Sequence, residues 1–574
     1  MLKHLIDVAA GREKADLVLK NGYYVNVFSQ KLEKGDIAVA DGRIAGIGEY
    51  EGIRETDIAG MIVLPGLIDG HVHIESSQLS PEEFARLVVP RGTTCVIADP
   101  HEIVNVCGMA GAEYIARAAE NLPLDIKIQL PSCVPATPFE TSGAVLGAKE
   151  IAENIGRKEI FGLGEFMNYP GVVGADAQVV DKLQSAADSG KIVDGHAPGL
   201  TGKELNAYIA SGISTDHECV TPEEAAEKVS RGLYCHLRHG SATRNLVTNA
   251  RAVNENNMRR FLLCTDDRHA ADLKEKGHLD DALRTLVKSG FDPVRAVTLA
   301  TLNAAECYNL QGKGAVAPGY CADLVVMDNL TDFNAQYVFK DGKLVARRGE
   351  PLFETVPRLS PSVLGTVHLP KKLQADDFRL TLKGEKARVM RIIPDNVVTE
   401  CVVRTVKSVN GDVALKDSDL LKLAVVERHK GTGNIGKGLL EGYGFHGGCL
   451  GITVSHDSHN IILLGDDNAD MALAANALAE MGGGMVIAHG GTWEGVPLAV
   501  GGLMSDERAE DFIEKSRKLT DKAYAMGVNA HLDAFMSLAF LSLAVIPELK
   551  LLDTGLFDVN RFAFTDINVD DTEK

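Results

Sequence analysis

Several things are scarce in this chain, and each scarcity removes a class of function. Lys and Arg number 59 against 79 Asp and Glu, a formal net charge of −20. A deficit of that size argues against a nucleic-acid groove or an anionic membrane surface, and weighs against a highly anionic substrate. The ten cysteines lie far apart and never form Cys-x-x-Cys. A disulfide framework and a zinc ribbon are therefore unexpected, and reduced thiols in a cytoplasmic protein are the simpler reading. Long apolar runs are missing too. The longest, residues 534–546, is too short to span a bilayer and reads as a buried helix. The first residues, Met1-Leu2-Lys3-His4-Leu5-Ile6-Asp7, are soon interrupted by charge and do not form a secretory signal. Gly482-Gly483-Gly484 lacks the Lys-Ser/Thr of a phosphate loop. The single tryptophan, Trp493, is assigned to core or interface packing.

What is present is a soluble globular composition, 45% hydrophobic and 24% charged, over 574 residues. That length exceeds one ordinary core and implies two to four domains. Residues 15–64 read as short strands joined by tight turns, with a hairpin at Ala40-Asp41-Gly42-Arg43-Ile44. The same vocabulary returns at Ala322–Met327 and Val338–Val345, so a composite β domain built from both flanks is expected. Between the flanks, apolar runs alternate with helical stretches. The strand candidates are Ile62–Ile68, Thr94–Ala98, Ile126–Leu130, Ile160–Leu163, Lys191–Val193, Ile213–Thr215, Leu233–Leu237 and Phe261–Cys264. Helices are expected at Pro81–Val89, Ala175–Ala187, Gly202–Ser211 and Thr221–Val229. Such alternation implies parallel strands with right-handed crossovers, and about eight repeats match a (β/α)8 barrel. A doubly wound sheet is the alternative, but no Gly-x-Gly-x-x-Gly follows the first strand. After residue 355 the rhythm changes, with prolines at 357, 361, 370 and 394. The expected division is 1–63 and 311–355 for a composite β-sandwich, 64–310 for an α/β TIM-like barrel, and 356–574 for a C-terminal α+β domain with a frayed Asp-rich end.

The most informative stretch is Leu64-Pro65-Gly66-Leu67-Ile68-Asp69-Gly70-His71-Val72-His73. In an extended segment residues i and i+2 share a side, so His71 and His73 can grip one cation. Barrel sites gather at strand C-termini, where further donors should lie. Strand four leads to Glu165, strand five to Asp194-Gly195-His196, strand six to Asp216-His217-Glu218, and strand eight to Thr265-Asp266-Asp267. These donors suffice for two divalent ions, with Glu165 bridging them at roughly 3.5–4 Å as in other two-metal sites. Mixed imidazole and carboxylate ligands suit manganese, iron(II) or zinc.

The pattern resembles the amidohydrolase superfamily, and within it the bacterial-type adenine deaminases. The resemblance rests on residues 71–77 (His-Val-His-Ile-Glu-Ser-Ser), 99–106, 164–168, 194–199 and 264–269, with Ser455-His456-Asp457-Ser458-His459-Asn460 resembling the family's C-terminal domain. It covers essentially the whole chain. It implies hydrolysis of adenine to hypoxanthine and ammonia in purine salvage or catabolism, by a hydroxide bridging two divalent ions, manganese or iron(II) being favoured over zinc. His71, His73, Glu165 and Asp266 would hold one ion, and Glu165, His196 and His217 the other. Asp266 is the expected proton acceptor and Glu102 the expected ring-polarising or ring-protonating group. Glu75, Ser76, Asp99, His101 and His269 are the expected substrate contacts, although helix capping is an alternative for a serine after His73. Adenine and water are the expected partners, without nucleic acid or membrane, in a homo-oligomer for which a dimer is expected.

Departures from other relatives sharpen this reading. His196 is followed by Ala197-Pro198-Gly199 where single-metal nucleoside deaminases carry His-x-x-Glu. Strand four offers Glu165 where many dihydroorotase-like relatives use a modified lysine. No His-x-Glu with a later Pro-Cys-x-x-Cys occurs, which excludes the zinc base-editor type. His239 stands where the family pattern has an acidic residue. The segment 456–460 is read as turn chemistry, with closure over the site or binding of another ion as alternatives. Two other functions stay open: a cyclic-amide or N-acyl amino-acid hydrolase on the same barrel, and a non-catalytic barrel acting in assembly or binding.

Overall fold

The computed structural model describes residues 2–241, 243–394, 396–415 and 418–569, so the chain end expected to fray lies outside the described residues. The chain forms two compact units. One comprises Met1–Pro100, Ile115–Ser132 and Gly147–Arg358, the other His101–Tyr114, Cys133–Leu146 and Leu359–Lys574.

The first unit is α/β and barrel-like. A six-stranded parallel sheet runs in the order Ile192–Gly195, Ile160–Phe166, Asp125–Leu130, Thr93–Ala98, Leu67–His73, Asp266–Asp267. Three further parallel strands follow, Thr215–Asp216, Tyr234–Arg238 and Phe261–Cys264. Leu67–His73 and Thr93–Ala98 are buried at every position. Burial on both faces is why they read as continuous apolar runs rather than as alternating ones. Helices Pro81–Val88, Ala177–Asp188, Gly202–Ala210 and Pro222–Ser230 fall where they are expected. A repeated device starts several of them. Ser80, Thr221 and Asp292 each accept a backbone N–H from the first turn, and each is followed by proline at the first helical position.

The expected strand Ile62–Ile68 is two strands. Ile62–Pro65 pairs antiparallel with Leu324–Met327 in a seven-stranded sheet that draws strands from both flanks. Leu67–His73 then enters the parallel sheet. The break falls at Gly66, where a Cβ would lie 2.1 Å from Thr94 Oγ1. An apolar run spanning the two sheets hides the switch, because both halves are buried. The hairpins at Asp41-Gly42 and Asp341-Gly342 form as their turn residues dictate, with positive φ at all four positions.

The second unit carries an eight-stranded sheet, antiparallel except where Lys386–Ile392 runs parallel to Ile435–Glu441. Helix Asn468–Met481, capped by Asp467 and closed by Gly482 at φ +76°, packs Met471, Ala474, Ala475 and Leu478 against Ile461, Leu463 and Val486. One expectation fails here. The run 534–546 is largely buried, but only Met536–Ala539 and Phe540–Ser542 are helical. A uniformly apolar run carries no period, so burial does not specify a helix. Trp493 lies on the strand Thr492–Pro497 and is 37% exposed, which removes the core alternative and leaves interface packing.

Candidate metal centre

His71 and His73 lie inside strand Leu67–His73 rather than beyond it, and Glu165 likewise lies inside Ile160–Phe166. His196 and His217 directly follow their strands, and Asp266 opens the short strand that pairs with Val72. Parallel pairing therefore gathers these six side chains at one end of the sheets. His71 Nε2 and His73 Nε2 are 3.1 Å apart. Glu165 Oε1 lies 3.3 Å from His73 Nε2 and 4.0 Å from His71 Nε2, while Asp266 Oδ1 lies 3.1 and 3.6 Å from the same two nitrogens. The other oxygen of Glu165, Oε2, is 2.7 Å from His196 Nδ1 and 3.3 Å from His217 Nε2. Glu165 thus reaches one pair of histidines with each oxygen. His71 and His217 stack with ring centroids 4.0 Å apart.

The hydrogen-bond geometry suits a cation here. His73 Nδ1 is 2.8 Å from the carbonyl oxygen of Asp99, which can only accept, so the Nδ1 proton is donated there. In the neutral ring Nε2 then presents a lone pair toward Glu165 and Asp266, acceptor against acceptor. A positive ion at their centre would reconcile such a cluster, and these side chains lie close enough together to hold one. Nearly complete burial of His71, His73, Glu165, His217 and Asp266 removes the water that would otherwise soften the conflict. Burial, then the charges of His217 and His73, hold His71 well below the usual histidine range. Burial would lower His217 as well, but Glu165 brings it up to about 9. Imidazole and carboxylate donors in one buried cluster match the chemistry of a divalent transition metal.

Carboxylates behind the candidate ligands hold them in place. Asp69 Oδ1 accepts from the backbone N–H of His71 at 3.2 Å and of Thr265 at 3.1 Å, while its Oδ2 accepts from Thr265 Oγ1 at 2.5 Å. Asp99 Oδ2 accepts from the backbone N–H of Glu165 at 2.8 Å. Asp194 accepts from Gln129, Thr215 and Tyr308, and its burial raises its carboxyl to about 7. Lys228, fully buried, bonds Asp216 Oδ2 and the carbonyl of Ala197, each at 2.6 Å, and so ties together the segments after His196 and before His217. Arg238 bonds Asp266 Oδ2 at 2.5 Å and Glu218 with both terminal nitrogens. Sequence reasoning passed over Asp69, Asp194, Lys228, Arg238 and Glu218. A signal for the first two existed: each stands two residues before a candidate ligand histidine.

The expected substrate contacts are scattered. Glu75 and Ser76 are buried in the turn Ile74–Ser77, with Ser76 Oγ bonded to Asp267. No serine caps that turn; Ser80 caps the next helix instead. Asp99 is occupied as described. The backbone N–H of half-buried His269 bonds Ser241 Oγ at 2.9 Å, at the start of helix Ala270–Glu275. His239 Nε2 meets Asp281 at 2.9 Å and lines a cavity of about 350 Å³ with Arg244, Arg268, Asp272 and Lys276. None of the six ligand candidates lines that cavity.

His101 and Glu102 belong to the second unit, on the helix His101–Cys107. There Glu102 Oε1 meets His456 Nδ1 at 2.7 Å and Oε2 meets His459 Nε2, while His101 Nε2 is 3.3 Å from Oε1. His459 Nδ1 accepts the backbone N–H of Ser455 at 3.1 Å, so its proton sits on Nε2 and is donated to Glu102. Burial lowers His459 to about 4, which keeps it neutral. Burial alone would raise Glu102, but His456, His459 and His101 hold it well below the usual range.

All ten cysteines are free thiols, with Cys219 and Cys235 sulfurs 3.8 Å apart. Among the described residues, no helix is long and apolar enough to cross a membrane.

Residues 62–345 match the Amidohydrolase family, and residues 396–563 match the Adenine deaminase C-terminal domain. The chain is 48% identical over 571 residues to an adenine deaminase of Nitratidesulfovibrio vulgaris (strain DP4), covering 99% of each chain. It is 47% identical to adenine deaminase 2 of Desulfotalea psychrophila and 44% identical to an adenine deaminase of Geobacillus kaustophilus, each over 98% of both chains. Identity of this order over 98–99% of both chains places this chain in the adenine deaminase family.

Proposed function

We propose that this chain hydrolyses adenine to hypoxanthine and ammonia, using two divalent cations held by His71, His73, Glu165, His196, His217 and Asp266. The observation that carries the reading is Glu165, whose two oxygens serve two different histidine pairs. Such ions, with manganese or iron(II) preferred, supply Lewis acidity and lower the pKa of a water toward neutrality.

The chain's own groups do the rest. Asp266 receives the proton of the attacking water at Oδ1, the oxygen that faces His71 and His73, and passes it to the departing amine. Ammonia leaves far more readily than amide ion, so this delivery is as necessary as the attack on C6. Asp69, Asp99 and Asp194 orient the strands that carry the ligands. Glu102 is assigned to the purine ring on its sequence position, three residues after Asp99. Its ionised state, held by histidine donors, favours accepting a hydrogen bond from a ring N–H over donating one. Glu75, Ser76, His101 and His269 complete the proposed contacts. The two flanking sheets of the first unit are read as one small β-sandwich and the second unit as an α+β domain. A cytoplasmic homodimer acting in purine salvage or catabolism completes the reading.

The test is an assay of chelator-treated protein reconstituted in turn with manganese, iron(II) or zinc. One ammonia and one hypoxanthine should appear per adenine consumed. No turnover of adenine with any of the three metals, alongside cleavage of hydantoin, dihydroorotate or acyl amino acids, would replace the proposal with an amide hydrolase.

A further inference from the structure

Arg238 ends the strand Tyr234–Arg238 and is 4% exposed. One of its terminal nitrogens, Nη1, donates to Asp266 Oδ2 at 2.5 Å and also to Glu218 Oε1; the other, Nη2, donates to Glu218 Oε2 at 2.9 Å. Glu218 directly follows His217, and its backbone N–H is held by Asp216 Oδ1 at 2.7 Å. One guanidinium therefore links two segments that each carry a ligand candidate.

The two oxygens of Asp266 have different neighbours: Oδ1 faces His71 and His73, and Oδ2 faces Arg238. An aspartate's terminal torsion is broad and soft on its own, so without a partner either oxygen could turn inward. Asp266 also sits at φ +57°, a left-handed conformation uncommon for a residue with a side chain. Thr265, just before it, is anchored to Asp69 through both its backbone N–H and its hydroxyl. The backbone thus sets where the carboxylate starts and Arg238 sets how it is rotated.

We propose that Arg238 is a positioning residue for Asp266, fixing Oδ2 so that one oxygen alone is presented to the cation and the water, and that Glu218 acts only through Arg238. The planar fork is essential to this role. It serves two carboxylates at once in fixed directions, which an ammonium on a flexible stem cannot reproduce. The inference rests on the reading of Asp266 given above, as a cation ligand that also handles the proton.

The test uses the full chain as R238M, R238K, E218Q and the double variant E218Q/R238M, with D266N alongside. Each is measured for manganese affinity by chelator competition and for kcat and KM on adenine. R238M should lose about 10- to 100-fold in manganese affinity, in kcat or in both, the usual cost of removing a group that orients a ligand. KM should stay close to that of the unaltered chain. R238K should recover part of kcat, because charge returns without the fork. E218Q should cost less than R238M and add nothing in the R238M background, since both act along one chain of contacts. Should R238M fail to fold, R238K against E218Q carries the same comparison. R238M with unchanged manganese affinity and turnover would overturn the proposal, as would losses from E218Q and R238M that multiply. If D266N turns over adenine normally, the reading of Asp266 falls. If D266N is inactive while R238M is unaffected, only the role of Arg238 falls.

Discussion

Two buried clusters of histidine and carboxylate, one in each unit, look alike as sets of residue types and differ in where their protons sit. In the first unit, His73 spends its Nδ1 proton on a backbone carbonyl, and its Nε2 lone pair faces Glu165 and Asp266. In the second, the Nδ1 of His459 accepts a backbone N–H, so its Nε2 proton faces Glu102. The first arrangement suits a cation. In the second, the His459 donor already meets the Glu102 acceptor, although Glu102, His456 and His459 also lie close enough together to hold an ion. The proton on the far nitrogen of a ring therefore bears on metal binding, as do the residues that converge.

The sharpest way to break this contrast is E165Q. Its loss should empty the first cluster of at least one ion and abolish measurable deamination, with metal analysis and the adenine assay as readouts. Retention of two ions per chain would show that Glu165 bridges nothing. Next in size is D99N, which weakens the acceptor holding the backbone of Glu165. Metal affinity or kcat should fall about 10- to 100-fold with folding intact, as for other groups that orient a ligand from behind.

H459F probes the opposite side of the comparison. It removes one donor from a buried carboxylate and should cost about 1–3 kcal/mol in urea unfolding, while metal content stays at that of the unaltered chain. Loss of an ion on this substitution would make the second cluster a metal site as well.

An effect of similar size concerns a carboxylate that is balanced by lysines. Lys340 and Lys313 overcome the burial of Asp125 and bring it from 3.8 to about 2. Because the folded value is depressed, its stabilisation is present above pH 4 and is lost as pH falls toward 2. In metal-free protein, D125N should be less stable by about 2 kcal/mol at pH 5–7, with the difference closing below pH 4. A difference independent of pH would assign the loss to packing.

The convergence of the six candidate ligands was legible because parallel strands deliver their last residues to one end. A histidine or carboxylate at each apolar run's close was therefore visible in one dimension. His71-Val72-His73 adds the two-residue repeat of a strand. The supporting groups were less visible. Arg238 reaches Asp266 across 28 residues, and Glu102 meets His459 across 357, distances over which no local pattern operates. The split at Pro65-Gly66 was hidden for a different reason: strands buried in two successive sheets give one unbroken apolar run. Residues 534–546 misled in the reverse sense, since their apolarity specified burial without specifying helix.

Titration of chelator-treated protein with manganese, followed by both bound metal and adenine turnover, tests the central contrast most directly. Activity should rise to a plateau at two equivalents per chain, with no third tight equivalent. A plateau at one equivalent, a third tightly bound ion, or full activity without metal would contradict the account.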